Sequence, residues 1–277
     1  MGTLKANFYK RIEQLEDIDK VVELQAEIWS PDIVSPKPQL LASVHNGGIV
    51  IGAYDGEKLV GFCYGFPGYK DGEAYLVSHM TGILPGYQNS GIGYQLKLQQ
   101  REWAINFGYK KIVWTFDPLE IRNGYFNFCK LGAYSKRYIP SYYGELKDKL
   151  NQGLPSDRLL VEWEISRPLE DSIFSFEKYQ PNTKYELLLN WNQEDEYPTP
   201  EPLEIRLEQN QHGFRVPVPS NIQFIKKHNT DLAQLWRYAL RTTITKALLS
   251  GYTITNVDKE SSSIVHFYIL EKLIVDG

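Results

Sequence analysis

The ten residues Leu84-Pro-Gly-Tyr-Gln-Asn-Ser-Gly-Ile-Gly93 carry the clearest chemistry in this sequence. A Pro-Gly step turns the chain, and Gly91 and Gly93 open a helical pattern. Backbone N–H groups at a helix start have no intrahelical partner, and the helix adds partial positive charge there. Glycines remove the side chains that would block close approach. Together these features suit a pyrophosphate. The segment lacks the Gly-Lys-Ser/Thr ending of a P-loop, and Leu96 stands where the third glycine of a dinucleotide fingerprint belongs. Taken alone, the same residues also describe a plain turn into a surface helix. Just upstream, His79 can titrate near neutrality and so serve as a base, or pack and hydrogen-bond inside a cleft. Glu73 is a weaker base candidate. Cys63 and Cys129 are far apart without CxxC spacing, so no disulfide framework or zinc cluster is expected and no metal is assigned.

The elements that must position these residues follow from periodicity. Phe8–Leu15 reads as a strand, Asp17–Trp29 as an amphipathic helix, Ser30–Pro38 as a proline-bearing loop and Gln39–His45 as a short helix. Gly48–Tyr54 and Lys58–Phe66 are strands joined by Asp55-Gly56, a tight-hairpin signal, and Ala74–Leu84 is a third strand. A helix over Ser90–Phe107 places Ile92, Leu96, Gln99, Trp103 and Phe107 on one face and stops at Gly108. Lys111–Phe116 is a strand, Arg122–Leu131 a short helix, and Ala133–Tyr143 and Leu159–Ile165 are strands. Further on, Arg215–Val218 reads as a strand and Asn229–Ser250 as a helix, with Leu235 and Trp236 on its apolar stripe. Tyr252–Val257 and Ile264–Leu270 follow as a strand pair.

The chain has 277 residues, 42% hydrophobic and 23% charged, with a formal net charge of −4. That composition is ordinary for a globular protein and argues against broad nucleic-acid or anionic-membrane binding. No apolar run approaches a membrane span and no signal peptide is visible, so a cytoplasmic location is expected. Residues 1–169 hold 19 acidic and 19 basic side chains, residues 170–210 hold 10 and 3, and residues 211–277 hold 5 and 8. The middle stretch also carries Pro181, Pro198, Pro200 and Pro202. The expected organisation is therefore a domain over 1–169, an acidic connector over 170–210 and a small α+β unit over 211–277.

The pattern Gln88-x-x-Gly91-x-Gly93 resembles the Gln/Arg-x-x-Gly-x-Gly/Ala motif of the GNAT acyltransferases, which bind acetyl-CoA pyrophosphate there. Ile83-Leu84-Pro85 is similar to the step that ends the family's fourth strand, and Leu131-Gly132 after Asn123 is similar to its Asn…Tyr-x-x-x-Gly-Phe segment. The stretches Phe116–Asn123 and Tyr138–Gly144 resemble a bacterial branch of the family, and the likeness covers roughly residues 8–166. It implies an α/β (α+β) fold whose mixed central sheet has splayed fourth and fifth strands, with the small C-terminal α+β unit outside it. It further implies acetyl-CoA or another acyl-CoA as co-substrate.

Carried over residue by residue, Thr81, Gly82 and Ile83 would pair with the pantetheine arm, with the Ile83 N–H acting as oxyanion donor. Gln88, Asn89, Ser90, Gly91, Ile92 and Gly93 would hold the pyrophosphate, and Asn123 and Phe126 would flank the donor. His79 corresponds to a base histidine in arylalkylamine-type members and, by period-two alternation, is expected on the face of Thr81 and Ile83. The family's acid tyrosine is replaced by Phe128, and Ala133 follows Gly132. Another phenol, Tyr142 or Tyr143 among them, would then reprotonate the thiolate, or solvent would, or the domain binds acyl-CoA without turnover. Asp117 would orient Asn123 or cap the next helix, and Asp157-Arg158 reads as a surface pair or as an anion contact. Trp29, Pro31, Pro38, Tyr69 and Tyr75 would line an apolar or aromatic acceptor pocket. Arg237 and Arg241 share a helix face, as a solvated basic edge or as a surface that docks onto the connector or the cleft.

The expected activity is transfer of an acetyl or short acyl group to an amine by direct attack in a ternary complex. The acceptor would be a small molecule or a peptide amine. The alternative is a non-catalytic acyl-CoA binding or sensing protein. Nucleic acid and membrane are not expected partners, since the neutral first 169 residues form no basic stripe. The C-terminal unit could mediate homodimer contacts.

Overall fold

The computed structural model describes Ala6 and residues 8–144, 153–166, 185–194, 196–201, 203, 204, 207, 212–259 and 263–272. Most of the stretch read as a connector before residue 185 lies outside these, as do Pro181 and Pro202. The described residues form two compact units. The first runs through Trp114 and adds Glu164–Ser166; the second is Thr115–Trp163 with the described residues from 185 onward.

In the first unit, β1 (Phe8–Arg11), β2 (Ile49–Asp55), β3 (Lys58–Lys70) and β4 (Glu73–Ile83) form antiparallel neighbours in that order. β5 (Lys111–Phe116) then pairs parallel to β4. Gly56, at φ 58°, makes the β2–β3 hairpin as its Asp-Gly sequence predicts. The β3–β4 hairpin extends past the expected Phe66 to Lys70 and closes through Asp71 and Gly72, both at positive φ. Helix α1 (Leu15–Ile28) buries Ile18, Val21 and Leu24, and a 3-10 turn at Pro31–Ile33 leads to α2 (Lys37–His45).

Helix α3 (Ile92–Phe107) ends at Gly108, at φ 105°. Its buried stripe is Ile92, Leu96, Lys97, Gln100 and Ala104. This corrects the sequence reading, in which Gln99 and Phe107 faced inward; both are exposed. Two polar side chains occupy the stripe instead.

In the second unit, α4 (Ile121–Tyr125) passes into a π-helical turn, Phe126–Lys130, so the single helix expected over Arg122–Leu131 is two elements. β6 (Tyr134–Ile139) pairs with β7 (Arg158–Glu164) and, through Ser135 opposite Ile254, with β12 (Thr253–Asp258). β12 continues to β13 (Val265–Glu271) and β11 (Gly213–Pro219), and β11 pairs parallel with β8 (Glu186–Leu187). The strands after residue 210 thus extend the sheet of β6 and β7. The acidic stretch also holds a hairpin, β9 (Asn190–Glu194) with β10 (Tyr197–Glu201), which composition had marked only as connector. Helix α5 (Ile222–His228) precedes α6 (Thr230–Leu249). α6 is capped by Asn229 and anchored by buried Trp236, whose indole N–H donates to Pro198 C=O at 2.8 Å. Leu235, placed inward by periodicity, is exposed.

Candidate functional site

The first unit assembles the turn, the base candidate and the strand between them. β4 pairs with β5 at Leu76–Ile112 and Val77–Val113 only, whereas its antiparallel ladder with β3 runs on to Ile83. From Ser78 onward, among the described residues, one edge of β4 has no strand partner. Leu84 N–H donates to Val60 C=O at 2.9 Å. Alternation along an antiparallel strand therefore turns the N–H and C=O groups of Ile83 and Thr81 to the open edge. In keeping with that, the Ile83 carbonyl accepts from Gln88 Nε2 at 3.3 Å. Gly82 contributes an absence of bulk: a Cβ there would lie 2.8 to 2.9 Å from Ile28, Phe62 and Trp29.

The turn after β4 is exposed at Gln88, Asn89 and Gly91. Asn89 (φ 60°) and Gly91 (φ 87°) both adopt the left-handed conformation on either side of Ser90. Successive N–H groups in such a turn form a concave anion-binding surface. No side chain caps α3, and a Cβ on Gly91 would meet nothing within 4 Å, so the helix start is open. Ser90 Oγ donates to Tyr87 C=O and the Tyr87 hydroxyl to Asp55, which hold the turn in place. Ile92 and Gly93 supply backbone only; the Ile92 side chain is buried.

His79 is an inserted residue. Tyr64 lies opposite Met80 and Gly65 opposite Ser78, leaving His79 as a β-bulge. A bulge re-aims side chains. Ser78 reaches Lys97 of α3 and Cys63, opposite Thr81, reaches Leu96 of α3, so Ser78 and Thr81 face α3. Met80 contacts Ser35, and Tyr64 contacts Ser43 of α2. His79 stands over Tyr64 and Phe66, with ring centroids 6.0 and 5.6 Å apart, and so shares the face of α1 and α2. The expectation that it lies with Thr81 and Ile83 is overturned by that one extra residue. His79 is exposed, yet the surrounding protein desolvates the imidazole and pushes its pKa below the usual histidine value. It makes no hydrogen bond among the described residues, and as a neutral ring it can accept a proton. On the same face Trp29 packs edge-on against Phe62. Tyr69 does not join that cluster: it is 75% exposed, paired with Ala74 near the hairpin end of β3 and β4.

The second unit holds the other predicted residues. Asn123 is exposed on α4, and Phe126 is half-buried at the start of the π turn. Phe128 is fully buried, packed edge-on between Phe116 and Tyr268 of β13. The Tyr268 hydroxyl is committed to Pro118 C=O at 2.8 Å, and burial first, then nearby carboxylates, raise its pKa well above the usual phenol value. Tyr142 and Tyr143 are 47% and 45% exposed in the turn after β6, stacked edge-on with each other.

Of the two roles expected for Asp117, it does not bond Asn123; it accepts from Leu119 N–H and from Arg237, so it caps the turn before α4 and pairs with α6. One expectation fails outright in this unit. Asp157 is no surface residue: it is fully buried, accepting from the Tyr138 hydroxyl at 2.6 Å, Ser141 N–H at 2.9 Å and the Arg241 fork at 2.9 and 2.6 Å. Burial works to raise its pKa, but those donors hold it below the usual carboxylate value. Arg237 and Arg241 are thus not a solvated edge.

Lys97 and Gln100 escaped the sequence reading. Their only signal was position: Gln100 lies one turn from both Leu96 and Ala104 on the buried stripe. Among the described residues no cluster of His, Cys, Asp or Glu is placed to hold a metal, and no helix is long and apolar enough to cross a membrane.

Comparison with solved structures gives partial matches to this chain. A protein from Streptococcus mutans UA159 is 20% identical, covering 57% of this chain and 99% of its own, with a TM-score of 0.48. A GNAT-family acetyltransferase from Streptococcus pneumoniae is 14% identical over 57% and 98%, with a TM-score of 0.46. An N-acetyltransferase from Staphylococcus aureus Mu50 is 13% identical over 58% and 98%, also at 0.46. No curated protein matches the sequence. Residues 13–126, which span β4, the open turn and α3, match the profile of the Acetyltransferase (GNAT) family. Over residues 13–126 the chain is therefore similar to the GNAT acetyltransferases.

Proposed function

We propose that this protein transfers an acetyl or short acyl group from acyl-CoA to an amine by direct attack in a ternary complex. The observation that carries this reading is the open edge of β4 running into an uncapped, left-handed turn at the start of α3. The edge offers the pantetheine arm backbone partners at Thr81 and Ile83. The turn, Gln88 to Gly93, offers the pyrophosphate its N–H groups. Ile83 N–H stabilises the thioester oxyanion as the tetrahedral intermediate forms. His79, neutral and facing α1 and α2, takes the proton that the attacking amine loses. In this reading the acceptor, a small molecule or a peptide amine, approaches from that face, where Trp29 lies against Phe62. Two free buried cysteines suit a reducing, cytoplasmic setting.

Calorimetry with acetyl-CoA is the direct test. Saturable binding is expected, weakened at least tenfold in Gly91→Val, whose branched side chain suits neither the left-handed backbone nor close phosphate approach. No heat and no thermal shift with excess ligand would refute the reading. A second reading, acyl-CoA sensing without turnover, draws on buried Phe128 in the acid position. CoA release over a panel of amines separates the two.

A further inference from the structure

Ser78 and Trp114 are the first residues past the β4–β5 ladder, where the two strands stop pairing. The Lys97 ammonium of α3 sits at that vertex. It donates to Ser78 Oγ at 2.6 Å and to Gln100 Oε1 at 3.4 Å, and lies 4.0 Å from the centre of the Trp114 ring. Lys97 is 4% exposed. From β3 its titratable neighbour is the Cys63 thiol, which burial pushes up to about 12 and so keeps neutral. β4 offers a hydroxyl, β5 an aromatic face and α3 an amide. Among the described residues no carboxylate pairs with the ammonium. Gln100 Nε2, fully buried, also lacks an acceptor. The site is rich in donors, carries a cation and holds no anion.

A buried lysine without a counter-ion is unfavourable, and a neutral side chain of similar volume would fold better. A transient anion beside it would relieve that penalty, and acyl transfer generates one at sulfur. We propose that Lys97 is the charge partner of the CoA sulfur: its ammonium stabilises the departing thiolate and gives it a proton. This assignment rests on the acyl-transfer reading above. In the step, the amine nitrogen forms the C–N bond and loses one proton to the base. The C–S bond breaks with its electron pair going to sulfur, which takes a proton from the Lys97 ammonium. The neutral lysine regains that proton from solvent once CoA leaves. Desolvation lowers the Lys97 pKa to about 8, close to a thiol, so the transfer is nearly balanced. The role fills the place left by Phe128, which carries no hydroxyl.

The experiment compares full-length wild type with Lys97→Met, with free CoA as probe. The thiol of bound CoA is titrated by thiolate absorbance, and binding is measured separately by calorimetry. Both proteins are expected to bind CoA. The bound thiol should ionise about one pH unit lower in wild type, a tenfold larger thiolate fraction at a given pH. With any accepted amine, Lys97→Met should lose kcat by about 10²-fold with little change in KM for acetyl-CoA. Equal thiol titration in two proteins that both bind CoA would overturn the assignment and leave the acyl-transfer reading standing. Failure of wild type to bind CoA would sink that reading and this assignment with it.

Discussion

Each unit buries a long cationic side chain, and the two are treated in opposite ways. In the second unit Arg237, 1% exposed, pairs with Asp117, and Arg241 one turn on forks onto Asp157. Both aspartates lie in the stretch between β5 and β7, so these pairs tie the C-terminal helix to that stretch. In the first unit Lys97 has only neutral partners. A paired buried charge specifies which elements meet. An unpaired one lowers stability unless an anion comes to lie beside it. The second unit is built to be held together, and the first to receive.

The strongest way to break this contrast is to remove Asp157. Asp157→Ala leaves the Tyr138 hydroxyl, Ser141 N–H and the Arg241 fork without their shared acceptor. A loss of about 3 kcal/mol is expected from urea unfolding, the range for breaking a buried pair. A loss below about 0.5 kcal/mol, the surface-substitution range, would mean that the network is dispensable.

The same test on the first unit has the opposite sign. Lys97→Met should stabilise the protein at pH 7, by about 1–3 kcal/mol if the burial penalty is fully felt. Lys97 has its pKa lowered from 10.5 to about 8 in the folded state. Below about 8 it is protonated both folded and unfolded, and the penalty is complete. As pH rises from 8 towards 10.5 only the unfolded chain keeps the proton, so wild-type stability climbs towards that of the variant. A stability gap that does not narrow over this window would show that the lysine is not desolvated.

Acid gives the mirror image at lower amplitude. Asp157 has a folded-state pKa below its unfolded value. Its contribution is present above the unfolded aspartate value and is lost as pH falls through the folded one. Wild type should therefore lose, as pH falls below the usual aspartate value, stability that Asp157→Asn has already lost. Parallel pH–stability curves would argue against the assignment.

Legibility in the sequence divides along the same line. The elements of the first unit could be read because hairpin glycines, helix stops and period-two strands are local signals, and the pyrophosphate turn is itself a local motif. The inserted His79 could not: a bulge is defined only by what lies opposite, and no spacing within Ala74–Leu84 shows that Gly65 and Tyr64 flank it. Lys97 was missed because polar residues on an amphipathic helix are taken to face water. In the second unit the strands were legible, but the partners of Asp117 and Asp157 lie 120 and 84 positions away. Charge composition of the intervening stretch says nothing about such pairs, and it also concealed the hairpin of β9 and β10.

The smallest expected effect bears on the claim that the first unit gives up stability for reception. Gly91 sits at φ 87°, and a Cβ there would meet nothing within 4 Å. Gly91→Ala is then a pure backbone change, costing about 1 kcal/mol for the left-handed conformation. The methyl group would protrude where the turn is open, so acetyl-CoA binding should weaken by more than the folding loss implies. Gly108, at φ 105° with equally open surroundings but at the far end of α3, is the control. Gly108→Ala should show a similar stability loss with binding unchanged. If both substitutions weaken binding alike, the turn before α3 has no special part in holding the donor, and the contrast between a receiving unit and a self-paired one loses its main geometric support.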